Sequence, residues 1–186
     1  IRITAKASTH SEAEKMIEVV EAQVKARVGE YIYAVDDENM EEVVAKLLKD
    51  NCLTVACAES CTGGMLASRL TSISGSSMYI KGSIVTYSNE AKMKFLDVDK
   101  EILDTKGAVS PEVAKQMAEG VRKAVGSDIG VGITGIAGPT GGTDKKPVGL
   151  VYIAIAGKDN TVVKENIFSG DRARVRYRST QQALEM

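Results

Sequence analysis

Ser60 stands in the stretch Ala58-Glu59-Ser60-Cys61-Thr62-Gly63-Gly64, directly after the apolar run Leu53-Thr54-Val55-Ala56-Cys57. A hydroxyl where a buried strand gives way to a helix sits among free backbone N–H groups, and the helix dipole there favours negative charge. A nucleophile at that place has an oxyanion site beside it. The competing reading is helix capping by Ser60 or Thr62, with the glycines present for tight packing. A Walker A phosphate loop is excluded, because no Lys-Ser or Lys-Thr closes the stretch.

A serine nucleophile needs a base, and the inventory of bases is short. The single histidine, His10, lies in the polar run Ser8-Thr9-His10-Ser11, far from every glycine-rich motif, so a Ser-His-Asp arrangement is not supported. The three cysteines, Cys52, Cys57 and Cys61, form no C-x-x-C pair, and their odd number argues against a zinc knuckle or a disulfide framework. No metal site is expected. Lysine is the usual substitute base, but the S-x-x-K spacing fails because Gly63 occupies the third position after Ser60. The best remaining source is Thr86-Tyr87-Ser88-Asn89-Glu90-Ala91-Lys92, which leaves a strand and enters a helix. Tyr87 and Lys92 can then both face a pocket at the strand's C-terminal end, where a buried lysine sheds its proton readily and a tyrosine can relay it. The alternative is a solvated lysine at a helix start.

Two further motifs suggest anion binding. Gly130-Val131-Gly132-Ile133-Thr134-Gly135 matches G-x-G-x-x-G, yet it falls inside an alternating strand and leads to Gly138-Pro139-Thr140-Gly141-Gly142 in place of a helix. The dinucleotide reading is therefore rejected. The loop Thr134–Gly142 reads either as a cradle of backbone donors for a phosphate or as an ordinary turn. Arg172, in Ser169-Gly170-Asp171-Arg172, opens a helix against the dipole, a cost that phosphate binding explains; Arg174, Arg176 and Arg178 make a plain basic surface the competing account.

The elements that must position these residues follow from periodicity. In residues 1–35, Ile1, Ile3, Ala5 and Ala7 alternate with polar residues, a helix capped by Ser11 runs to about Val28, and Tyr31, Tyr33 and Val35 alternate again, which predicts a βαβ piece. Helices are expected to about Lys49 after the polar cluster Asp36-Asp37-Glu38-Asn39, from Asn89 to Leu96, from Ser110-Pro111 to Val125, and from Asp171 to Met186. Strands are expected at Leu53–Cys57, Ile80–Tyr87, Ile129–Ile133, Leu150–Ala156 and Thr161–Phe168, the last two as a hairpin. This order predicts an α/β protein: a layered α/β/α sandwich with a mixed sheet over residues 36–186, preceded by the small βαβ fragment of residues 1–35. Composition agrees, since 44% of the 186 residues are hydrophobic and 26% charged, as in a folded, soluble, cytoplasmic chain. A formal charge of −1 argues against direct nucleic-acid binding, and no apolar run reaches membrane-span length. The chain begins at Ile1 with no leader pattern and reads as part of something longer.

Taken together, AESCTGG, GSIVTYSNEAK, GAVSPEV, TGIAGPTGG, KPVG and FSGDR occur in an order that closely resembles the C-terminal domain of the CinA family, also found alone as the PncC-type nicotinamide mononucleotide deamidase. Residues 1–35 resemble the end of the KH-type linking module of that family. The resemblance implies a Ser/Lys amidohydrolase that converts nicotinamide mononucleotide to nicotinate mononucleotide and ammonia, with no cofactor. Carried onto this sequence, it makes Ser60 the nucleophile and Lys92 with Tyr87 the proton shuttle. N–H groups near Ser60 would hold the oxyanion. Thr62, Gly63, Asn89, Gly135, Ala137, Gly138 and Arg172 are the candidates for substrate contacts. A homodimer is expected as well. The rival reading is a non-catalytic nucleotide-binding or protein-interaction module of a competence or DNA-damage-associated protein.

Overall fold

The structure, a computed structural model, describes residues 1–186 and divides into two compact units, Ile1–Asn39 and Met40–Met186. The first unit is a long helix, α1 (His10–Val28), followed by a single 3-10 turn over Gly29–Tyr31. Thr9, not Ser11, caps α1: its side chain accepts from the Glu12 N–H. The predicted strands at residues 1–7 and 31–35 do not form. Alternation favours a strand only where a second strand offers the ladder, and this unit holds none. None of the residues of α1 is buried.

The second unit is built on five strands: β1 (Val55–Glu59), β2 (Ile80–Val85), β3 (Ile129–Gly135), β4 (Leu150–Ala156) and β5 (Thr161–Ile167). They lie in the order β2-β1-β3-β4-β5. β2, β1 and β3 are parallel, while β4 and β5 run antiparallel as the expected hairpin. The sheet is therefore mixed. Six helices cover it: α2 (Met40–Asp50), α3 (Met65–Thr71), α4 (Asn89–Leu96), α5 (Lys100–Lys106), α6 (Pro111–Val125) and α7 (Arg172–Glu185). α5 is absent from the sequence-based expectation, and its seven residues bury only Leu103. β2 ends at Val85, two residues short of the expected Tyr87.

The two faces of the sheet carry different cores, as a two-residue period requires. Val55, Cys57, Val131, Ile133, Val151 and Ile153 pack with residues of α2, α3 and α7, including Leu48, Leu66, Leu70 and Val175. Ala56 and Ala58 face the other way, towards Leu96, Leu103, Val113, Met117 and Val121. This second face is paved with small residues, and α6 comes very close to it. A Cβ on Gly132 would stand 2.3 Å from the Ala114 carbonyl oxygen, and one on Gly130 would stand 2.1 Å from that of Ala118. The G-x-G of β3 thus serves helix-to-sheet packing. The result is an α/β/α sandwich in which β1 is flanked by β2 on one side and β3 on the other. The chain reverses its direction of travel across the sheet at β1, so the C-terminal ends of β2, β1 and β3 border a crevice. No helix is long and apolar enough to cross a membrane.

Candidate active site

Each parallel strand delivers one wall of that crevice. From the end of β1 comes Ser60, whose N–H donates to the Ile133 carbonyl of β3 (3.0 Å). From the end of β2 comes Thr86, whose N–H donates to the Glu59 carbonyl (2.9 Å). From the end of β3 comes the loop through Gly138 and Gly141. Between them lies a cavity of about 290 Å³ whose wall includes Ser60, Cys61, Tyr87, Lys92, Gly138 and Arg172.

Glu59 shapes the turn that presents Ser60. Its side chain is fully buried, with Oε2 accepting from the Gly64 (3.0 Å) and Leu66 (3.1 Å) N–H groups and Oε1 from that of Ala67 (2.9 Å). A carboxylate on three amides of a helix N-terminus is a strong, charge-assisted cap. Neither Ser60 nor Thr62 caps α3. Gly63 and Gly64 take φ of +60° and +91°, the left-handed backbone that lets the chain turn into α3 beneath this carboxylate. Since the Gly64, Leu66 and Ala67 amides are committed to Glu59, the N–H groups next to the serine that donate to no other residue are those of Cys61 and Thr62.

Lys92 lies one turn into α4, whose start is fixed by the Ser88 hydroxyl accepting from the Ala91 N–H (3.1 Å). It is 1% exposed, which excludes the solvated-lysine alternative. Its Nζ lies 3.2 Å from Ser60 Oγ and 2.6 Å from the Thr86 carbonyl oxygen. No carboxylate lies within ion-pair distance of it. Burial without a counter-charge pushes its pKa below the ordinary 10.5. The neighbouring Cys61 thiol supplies no negative charge near neutral pH, because burial raises its own pKa to about 11. A hydroxyl and a depressed amine in contact is the arrangement in which nitrogen can take the alcohol's proton.

Tyr87 is placed differently from Lys92. The residue is 62% exposed, and its hydroxyl accepts from Arg172 Nη2 at 3.0 Å; it bonds neither Ser60 nor Lys92. Arg172, the first residue of α7, also donates through Nη1 to the Gly138 carbonyl (3.0 Å). Of the candidate substrate contacts, Gly135, Ala137, Gly138 and Arg172 line the cavity, whereas Thr62, Gly63 and Asn89 do not. Thr62 is fully buried behind the turn, where its carbonyl accepts from Arg176 Nη2 (2.7 Å). Gly63 lies against the same guanidinium, and Asn89 is an exposed first residue of α4. Thr134, Thr140 and Gly141 of the wall belong to the loop that the sequence offered as a phosphate cradle, whereas Cys61, Ala108 and Val109 were not singled out. Thr134 carried the one available signal, a polar residue in an apolar strand; its hydroxyl donates to the Ala108 carbonyl (2.7 Å) and ties that loop to β3. No group of three or more His, Cys, Asp and Glu side chains is placed to hold a metal ion.

The matches to known proteins follow these boundaries. Residues 37–186 match the family described as the CinA C-terminal domain. The chain belongs to the CinA family. Residues 1–34 match the KH domain of damage-inducible protein CinA. A competence-damage inducible protein of Moorella thermoacetica is 52% identical over 184 residues, covering 99% of this chain and 44% of that protein. A CinA-like protein of Dictyoglomus thermophilum is 49% identical, covering 100% of this chain and 45% of its own length. The chain thus spans somewhat under half the length of these CinA relatives. Among solved structures, the competence/damage inducible protein of Agrobacterium tumefaciens superposes with a TM-score of 0.76 at 40% identity, covering 82% of this chain and 96% of that one. A CinA superfamily protein of Escherichia coli gives 0.76 at 34% identity, covering 83% and 91%.

Proposed function

We propose that this CinA chain is an amidohydrolase that converts nicotinamide mononucleotide to nicotinate mononucleotide and ammonia. The observation that carries the reading is the 3.2 Å contact between Lys92 Nζ and Ser60 Oγ, with Lys92 buried and no carboxylate within ion-pair distance of it. In the neutral amine, two hydrogens and one lone pair are available. One hydrogen goes to the Thr86 carbonyl, which aims the lone pair at the serine. The Ser60 proton passes to Lys92 as Oγ attacks the carboxamide carbon, and the Cys61 N–H receives the developing oxyanion. Lys92 returns that proton to the departing nitrogen, so ammonia leaves and an acyl ester remains on Ser60. Water then attacks the ester with Lys92 as base, releasing the carboxylic acid and restoring the serine. Arg172, with three of its five N–H groups uncommitted, faces the phosphate from the other end of the cavity.

The test is ammonia release from nicotinamide mononucleotide. Wild-type protein should turn over, and Ser60→Ala should lose at least about a thousandfold in rate while still binding the nucleotide. Binding by the wild type without any ammonia would leave the non-catalytic module standing in place of the enzyme.

A further inference from the structure

We infer that Tyr87 is a positioning residue for anion recognition, a strut that holds Arg172 ready for a phosphate monoester, and that it stands outside the proton path. The inference rests on the amidohydrolase reading for its kinetic arm only. Three observations carry it. The protons that matter for Ser60 already have short partners: Lys92 Nζ reaches Ser60 Oγ at 3.2 Å and the Thr86 carbonyl at 2.6 Å, with no tyrosine between them. Tyr87 spends its hydroxyl on Arg172 Nη2 at 3.0 Å. Arg172 is thereby held from two walls, by Tyr87 after β2 and by the Gly138 carbonyl after β3, while its own backbone opens α7.

That geometry suits an anion receptor. A guanidinium on a flexible stem gives up rotamer entropy whenever it grips a ligand, and a strut lowers that loss beforehand. Neither acceptor carries a formal charge, and no carboxylate lies within ion-pair distance, so the positive charge of Arg172 is kept for the ligand. The phenol and the guanidinium are both at the exposed mouth of the cavity, whereas Ser60 and Lys92 lie in its floor. A ligand with an amide at one end and a phosphate at the other spans the two. A second copy of the phenol's role in proton transfer is not needed.

The experiment pairs kinetics with binding. Tyr87→Phe keeps the ring and removes only the hydroxyl. With nicotinamide mononucleotide, KM should rise about tenfold, the scale of one hydrogen bond to a charged group, while kcat changes less than about threefold. The midpoint of its pH–rate profile should stay where the parent has it, and KM for nicotinamide riboside, which lacks the phosphate, should not move. A fall in kcat of a hundredfold or more, or a displaced midpoint, would return Tyr87 to the proton path and overturn the inference. The binding arm is independent of turnover: in the Ser60→Ala background, calorimetry compares the mononucleotide with the riboside. Tyr87→Phe should erase most of the preference for the phosphorylated ligand, and in an Arg172→Gln background it should have no further effect. An unchanged preference, or additive losses in the double variant, would sink the strut even if the protein hydrolyses no amide at all.

Discussion

In the proposed mechanism Lys92 concentrates the chemistry of the site into one nitrogen, and its burial has consequences for rate and for stability. As a base it must be neutral, so kcat/KM on an amide substrate should rise with pH through its lowered pKa and fall away on the acid side. Lys92→Arg keeps the charge and the length but cannot lose a proton near neutral pH, so it should lower kcat by about a thousandfold with nucleotide binding retained. The same burial has a stability consequence. Between the depressed folded value and the ordinary 10.5, the unfolded chain binds more protons than the folded one, so stability rises with pH across that window and the penalty is complete below it. Lys92→Met removes the penalty. Its stability relative to the parent should therefore be most favourable near pH 7 and decline towards pH 10.5, measured by urea unfolding at both ends; a difference that stays flat would mean that Lys92 is not perturbed. Cys61, although adjacent to the serine, is no rival nucleophile, because burial holds its thiol at about 11. Alkylation at pH 8 should accordingly label the exposed Cys52 well before Cys57 or Cys61.

The elements explain why the serine stands where the lysine can reach it. β1 and β3 grip the Ser60 backbone, and the Glu59 carboxylate gathers three amides at the start of α3, so the turn between them has little freedom. Glu59→Gln replaces one acceptor oxygen with an NH₂ group that faces N–H donors. It should cost about 2–3 kcal/mol in urea unfolding and lower kcat through the displaced serine, with the pH–rate midpoint unmoved because Lys92 is untouched. Gly132→Ala tests the opposite face: its methyl would enter the 2.3 Å gap to the Ala114 carbonyl, forcing α6 off β3 at a cost of about 1–3 kcal/mol. Much of this was legible in the sequence. The helix Asn89–Leu96 and the β4–β5 hairpin emerge at the expected residues because cap and turn chemistry is local. The parallel strands form in the expected order but with shifted ends, β1 at Val55–Glu59, β2 stopping at Val85 and β3 running on to Gly135. What was illegible is what depends on distant partners. The strands expected in residues 1–35 lack a neighbour to pair with. The capping oxygen of α3 comes from within β1, several residues before the helix, where no capping pattern looks for it. Tyr87 and Lys92 are five residues apart, yet one points to Arg172 and the other to Ser60, because Tyr87 lies before the Ser88 cap and Lys92 within α4.

At the scale of the sandwich, a single arginine ties together the three helices that cover one face. Arg69 of α3 donates through Nε to Glu41 of α2 (2.6 Å), through Nη1 to the Thr180 hydroxyl (2.8 Å) and through Nη2 to the Gln181 side-chain oxygen (2.7 Å), both on α7. Its guanidinium also lies 4.8 Å from the centre of the Tyr177 ring. The pair with Glu41 is mostly shielded, with side-chain exposures of 10% and 18%, so it is screened less than a surface pair. Because α7 begins with Arg172, whatever seats α7 also sets the Arg172 end of the cavity. Arg69→Met should cost about 2–4 kcal/mol, since it leaves Glu41 without its cation and two hydroxyl and amide groups without a donor. Burial alone would raise the Glu41 pKa, but the hydrogen bond and charge of Arg69 outweigh it and hold it below 4.5. That contribution is complete above the unfolded value and is lost as pH falls through the lowered one. The parent should therefore lose its advantage over Arg69→Met on acidification below about pH 4.5, followed by thermal unfolding at several pH values. In the same variant, affinity for nicotinamide mononucleotide should fall more than affinity for the riboside. Equal losses on both ligands would show that α7 keeps Arg172 in place without help from the far end of the helix.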